Sequence, residues 1–184
     1  MVLVEAMLKD IDYEILSGLL ENARTSDREL ARKIGVSQPT VTRRRGRLEN
    51  ELIDGYTAVP KWKELGYEIL AITLAKTAFY LGSAEMRKNI VKTAKKWLDK
   101  QPNVIFCAMG RGLGSTGVIF SVHKDYAHLD EFLSNHRQQL GNIVGDVQTI
   151  IVNLTGERVY RPLHFKHLAK EFPEKKRITN KHKT

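Results

Sequence analysis

The chain has 184 residues, 30 Lys and Arg against 21 Asp and Glu, and a formal net charge of +9. That length holds one sizeable core or two small ones, and the excess of cations favours a polyanionic partner. The single cysteine, Cys107, excludes an intramolecular disulfide framework, and no stretch approaches the roughly 20 apolar residues of a membrane span.

The opening MVLVEAMLKD carries acids where a secretory signal has a basic flank, so a cytoplasmic location and no membrane partner are expected. Asp10 is a candidate cap for a first helix whose apolar positions Ile11, Ile15, Leu16, Leu19 and Leu20 recur at steps of three and four. Ser26 with Glu29 three residues later forms a capping box and predicts a helix over Asp27 to Ile34. Gly35 stops it. Ser37 can cap the next helix, where Pro39 is tolerated because first-turn N–H groups lack intrahelical partners. Ile34, Val41 and Leu48 repeat on the inner side, so the segment Ser26 to Leu48 reads as a helix-turn-helix within a three-helix unit. Outward positions carry polar and basic residues suited to base edges and phosphates. Gln38, Pro39, Thr40, Thr42 and Arg43 are the candidate base-facing set, and Arg28, Ser37, Arg44 and Arg47 the candidate phosphate set. The expected partner is double-stranded DNA.

After Leu48 come Leu52-Ile53, a turn at Asp54-Gly55, and a short β-like run, Tyr56 to Val59, closed by Pro60. Residues 60–66 read as a linker. The pattern then alternates: strand Tyr67 to Ala78, a helix capped by Ser83 and running to about Asp99, strand Asn103 to Met109, strand Thr116 to His123, helix Asp125 to Leu140, strand Val144 to Leu154. This β-α-β-β-α-β order predicts a ferredoxin-like domain over 67–157, with both helices on one face of an antiparallel sheet. The other face needs a cover, and a second copy supplies one, so a homodimer is expected. The fold class is α+β: a winged-type helix-turn-helix domain at 1–59 followed by the ferredoxin-like domain.

Residues 158–184 form a basic extension rich in Lys and Arg, including Lys175, Lys176, Arg177, Lys181 and Lys183. Leu163, Phe165, Leu168 and Phe172 suggest a short helix before Pro173, and the final residues are read as an arm for phosphates or a solubilising tail. Cys107, in an apolar run, is expected in the core. Trp62 and Trp97 are expected as core or interface anchors. The six histidines are expected to be solvated, since none of their spacings brings about four ligands together, and no metal or cofactor is anticipated. Gly112 to Gly117 matches a dinucleotide-binding spacing by letter, yet the strand Val118-Ile119-Phe120 follows where that motif needs a helix, so a hairpin connection is expected.

The chain resembles the Lrp/AsnC family of transcription regulators. The residues that carry the resemblance are Leu8-Lys9-Asp10, Asp12, Ile15-Leu16, Leu19, Asn22-Ala23-Arg24, Glu29-Leu30-Ala31, Ile34-Gly35-Val36-Ser37, Thr40-Val41, Arg44, Leu48-Glu49, Ile53 and Gly55-Tyr56, with Thr116-Gly117 in the second domain. The resemblance implies a dimer, often assembled into tetramers or octamers, that binds promoter DNA and in many members responds to an amino acid held between C-terminal domains. The corresponding effector candidates are Arg111, Gly112, Leu113, Gly114, Ser115 and Thr116. Arg45 and Gly46 depart from the family pattern, as does Phe120, which stands where the family has an acidic residue. Two other functions fit the same plan: a sirohaem-decarboxylase-like enzyme, and an architectural protein that coats DNA without sequence preference.

Overall fold

The computed structural model of the protein describes residues 8–77 and 83–172. The chain divides into two compact units, one formed by the residues up to Val59 together with those from Pro162, the other by Pro60–Arg161.

Three helices build the first unit: α1 (Asp10–Glu21), α2 (Asp27–Ile34) and α3 (Gln38–Glu51). The capping box at Ser26 is present: Ser26 Oγ accepts from the Glu29 N–H at 3.2 Å and Glu29 Oε2 accepts from the Ser26 N–H at 2.9 Å. Gly35 ends α2 in the left-handed region, φ 80°, which a side chain would disfavour. Ser37 Oγ accepts from the Thr40 N–H and starts α3, with Pro39 in its first turn. The start of α1 differs from expectation. Lys9 is its cap residue and Asp10 is already helical; Asp12 closes the turn by accepting from the Lys9 N–H at 2.7 Å. Ile15, Leu19, Leu30, Ala31, Val41 and Leu48 form the core, each large apolar side chain contributing about 1.5–3 kcal/mol on burial. Gly18 lets α1 and α2 approach closely, because a Cβ there would meet Leu30 Cδ2 at 2.5 Å.

Tyr56 to Val59 carries no strand. The Tyr56 hydroxyl donates to Glu49 Oε1 at 2.7 Å and its ring lies under the Arg45 guanidinium, which holds the start of this segment against α3. The C-terminal segment folds back as a 3-10 helix, Phe165–Lys170. Ser17 Oγ donates to the Ala169 carbonyl at 2.7 Å and Phe172 stacks on Tyr13, so this segment covers the outer side of α1. The basic residues Lys175, Lys176, Arg177, Lys181 and Lys183 lie outside the described residues.

The second unit runs β1 (Ile69–Thr77), α4 (Ala84–Leu98), β2 (Val104–Gly112), β3 (Ser115–His123), α5 (Tyr126–Leu140) and β4 (Val144–Asn153). The sheet is antiparallel with order β2-β3-β1-β4, the ferredoxin-like arrangement read from the element order. Ala78, the end of the expected first strand, lies outside the described residues. Ser83 Oγ caps α4, and Asp125 caps α5. Ile69, Ala71, Ala75 and Ile119 meet Trp97, Leu129, Phe132 and Leu140 between sheet and helices. Strand alternation puts Leu70, Ile72, Leu74, Phe106, Phe120 and Ile150 on the opposite face, where Phe106 and Ile150 are about half exposed.

Two expectations fail in this unit. Cys107 is exposed because its strand, β2, is at the sheet edge. His123 and His136 are buried, not solvated: His123 Nε2 lies 2.8 Å from Ser121 Oγ, and His136 packs edge-on against Trp97. Each ring fills a core position that its apolar surface suits. Among the described residues no helix is long and apolar enough to cross a membrane, and no group of three or more His, Cys, Asp and Glu could hold a metal ion.

Candidate nucleic-acid interface

Helix α3 has an inner and an outer face fixed by its two buried anchors, Val41 and Leu48. At 100° per residue the opposite arc holds Pro39, Thr42, Arg43, Gly46, Arg47 and Asn50, and Gln38 is the helix's first residue. Gln38, Pro39, Thr42 and Arg43 are exposed, as is Arg28 in the first turn of α2. Among the described residues neither Arg28 nor Arg43 has a protein ion pair. Arg47 pairs with Glu51 at 2.9 Å one turn along the helix; the two side chains are 35% and 50% exposed, so the pair is weak and can yield to a phosphate.

The hydroxyl candidates, Thr42 included, and Arg44 have internal partners. Ser37 Oγ lies 2.8 Å from Thr40 Oγ1, so both hydroxyls serve the helix start. Thr42 Oγ1 donates to Asp27 Oδ2 at 2.6 Å, which ties α3 to the beginning of α2. Arg44 corrects the expected phosphate set. Its Nη1 donates to both carboxylate oxygens of Asp12, and the two side chains are 15% and 1% exposed, so its charge neutralises a buried acid. A signal for this existed in the sequence: Asp12 falls on the apolar stripe of α1 with Ile15 and Leu19, and Arg44 lies three after Val41 and four before Leu48. A buried carboxylate needs a cation, and Arg44 occupies the facing arc.

Sequence reasoning missed the role of Arg45. It donates to Glu49, Asp27 and the Thr25 carbonyl and lies 5.6 Å from the Tyr56 ring centroid. Burial opposes its charge, but the hydrogen bonds to Glu49 and Asp27 outweigh that and hold the guanidinium firmly protonated. Hydrogen bonds from Tyr56 and Arg45 likewise keep Glu49 below the usual carboxylate range. This network joins the turn before α2, the flank of α3 and the segment after it. The arginine run thus divides by function: Arg43 and Arg47 point outward, while Arg44 and Arg45 fasten the helix.

The glycine-rich stretch forms a tight hairpin between β2 and β3, with Leu113 at φ 50° and Gly114 at φ 72°. Arg111 through Gly114 are exposed and Ser115 is half-buried. Thr116 Oγ1 accepts from the Thr77 N–H at 2.8 Å and donates to the Ala75 carbonyl. Its hydroxyl therefore joins β1 to β3.

Residues 8–49 match the model of the AsnC-type helix-turn-helix domain. The chain is 32% identical over 147 residues to the HTH-type transcriptional regulator Ptr1 of Methanocaldococcus jannaschii, covering 79% of this chain and 93% of that protein. Among solved structures it is similar to AsnC of E. coli, with a TM-score of 0.66 at 24% identity over 85% of this chain and 98% of that one. It is also similar to a transcriptional regulator of Neisseria meningitidis solved as an L-Met complex, with a TM-score of 0.66 at 22% identity over 88% and 99%. At these identities the structural likenesses speak for the fold.

Proposed function

The chain belongs to the Lrp/AsnC family of DNA-binding transcription regulators, and we propose that it works in the cytoplasm as a homodimer or higher oligomer, without catalysing a reaction. Gln38, Pro39 and Arg43 face base edges in the major groove, and Arg28 and Arg47 hold phosphates, the Thr42 hydroxyl being committed to Asp27. The observation that carries this assignment is the outward arc of α3: its N-terminal half is exposed, and Arg43 has no protein ion pair among the described residues. Helix-turn-helix proteins read bases from that end of the second helix.

Dimerisation is supported by the apolar sheet face at Ile72, Phe106, Phe120 and Ile150. Two-fold pairing would present two reading helices to half-sites about one helical turn, or a multiple of it, apart. Modulation by a small molecule belongs to the same proposal, and the L-Met complex of the Neisseria meningitidis protein supports it. Arg111 and Gly112 to Gly114 are the groups of the hairpin that would meet such a ligand, Thr116 being committed to Thr77 and Ala75.

The test is selection of duplexes from a random pool on the purified protein, followed by fluorescence-anisotropy titration of the selected duplex and a scrambled one. A preference on the order of 10³ or more at physiological salt supports a sequence-specific regulator. Equal, steeply salt-dependent binding of both supports the architectural reading instead. Absence of DNA binding together with an absorbance change on adding a tetrapyrrole would favour the decarboxylase reading.

A further inference from the structure

On the outer side of α4, Lys88, Lys92, Lys95 and Lys96 stand at positions i, i+4, i+7 and i+8, which places all four on one face. Ile90 and Trp97 take the buried face of the same helix. All four lysines are exposed, and among the described residues none of them makes an ion pair. Asp99 lies within helical reach of Lys95 and Lys96 yet pairs with neither. Lysines one turn apart, as in Lys88, Lys92 and Lys96, repel each other and weaken the helix. Among the described residues no ion pair offsets that repulsion.

We propose that this face of α4 is a second DNA contact, gripping the phosphates of a duplex beyond the stretch read by α3; it rests on the reading of α3 given above. The row spans about 12 Å at 1.5 Å per residue, a length over which one DNA strand presents several phosphates. Four flexible point charges suit phosphates, which need neutralising without a fixed geometry. A protein partner fits poorly, since α4 exposes no aromatic anchor; its exposed apolar residues are Met86 and Val91. These contacts add affinity and reach without adding sequence preference.

The test compares the full-length protein with the variant Lys88→Gln/Lys92→Gln/Lys95→Gln/Lys96→Gln, whose glutamines keep helix propensity and remove the charge. Two probes are titrated by anisotropy over a series of salt concentrations. One is the selected core of about 25 bp, which spans two half-sites; the other is the same core centred in a duplex of about 80 bp, with phosphates to spare on both sides. The expected result is unchanged binding of the short probe, with a long-probe slope of log K against log salt reduced by up to about 3 to 4. A long-probe slope equal to that of the unmodified protein overturns the proposal, as does an equal loss on both probes. Failure of the unmodified protein to bind the short core would be a different result, overturning the assignment of α3 itself.

Discussion

Arg44 Nη1 donates to both carboxylate oxygens of Asp12, at 2.8 and 2.9 Å, and so joins α3 to α1 through a buried ion pair. Asp12 also accepts the Lys9 N–H, which leaves its charge fully engaged only while Arg44 is present. Truncation of Arg44 strands a carboxylate that is 1% exposed. Arg44→Ala should therefore lower stability by about 3–5 kcal/mol, the cost of breaking a buried pair from one side. Urea denaturation measures this. Arg43→Ala, at an exposed position, should stay within about 0.5 kcal/mol of the unmodified protein. Comparable losses for the two would refute the division of the arginine run.

On the proposed assignment the outward arginines differ in what they contact. Arg43 lies in the N-terminal half of α3, so Arg43→Ala should reduce discrimination between selected and scrambled duplexes by roughly 1–3 kcal/mol. Arg47 stands one turn later and leans on Glu51. Arg47→Ala should weaken both duplexes alike and reduce the salt slope by about 1. Anisotropy titrations at two salt concentrations separate these outcomes.

Local chemistry made most of the fold legible. Ser26 with Glu29, Gly35, Ser37, Ser83 and Asp125 each mark a helix end through hydrogen bonds within four residues, and those bonds are present. Asp10 misled because Asp12 competes for the same start and is fixed by Arg44, a partner 32 positions away. Arg45 was illegible for the same reason: Asp27, Thr25 and Tyr56 gather around it only after folding. Cys107 and the buried histidines depended on strand order and on which positions the helices cover. An apolar run does not record whether its strand is central or at an edge.

Gly46 sits inside α3, where a Cβ would meet nothing within 4 Å. Gly46→Ala should thus raise stability by up to about 1 kcal/mol, the helix-propensity difference, with a matching rise in the unfolding midpoint. The residue lies on the outward arc one turn beyond Thr42 and Arg43. A fall in affinity for the selected duplex accompanying that gain would place the helix backbone close to the DNA.

His123 links stability to pH. Its ring is fully buried against Ser121, His128 and Phe132, and burial, with a smaller contribution from His128, pushes its pKa from 6.5 down to about 4. The folded state thus favours the neutral ring, while the unfolded chain takes up a proton near pH 6.5. Stability is fully present above that value and is lost as pH falls toward 4, by up to about 3 kcal/mol. Burial shifts His136 in the same direction. In urea titrations at pH 7 and pH 4.5, His123→Gln should show a smaller difference than the unmodified protein, because glutamine keeps a partner for Ser121 and does not titrate.

Phe106 is 50% exposed and packs on Phe120 across two paired strands, with ring centroids 5.4 Å apart. Ile150, 54% exposed, points from the same sheet face. Apolar side chains left half in water on one face are the pattern of a self-complementary interface, where two copies cover each other. Phe106→Glu puts a charge at that surface. Within one chain the change is mild, since half of the side chain is already solvated, but across a two-fold interface two carboxylates would be desolvated together. Sedimentation velocity should show a dimer or larger assembly for the unmodified protein and a smaller species for Phe106→Glu, with the far-ultraviolet circular dichroism unchanged. An unaltered assembly would move the interface to another surface, and with it the spacing expected between half-sites.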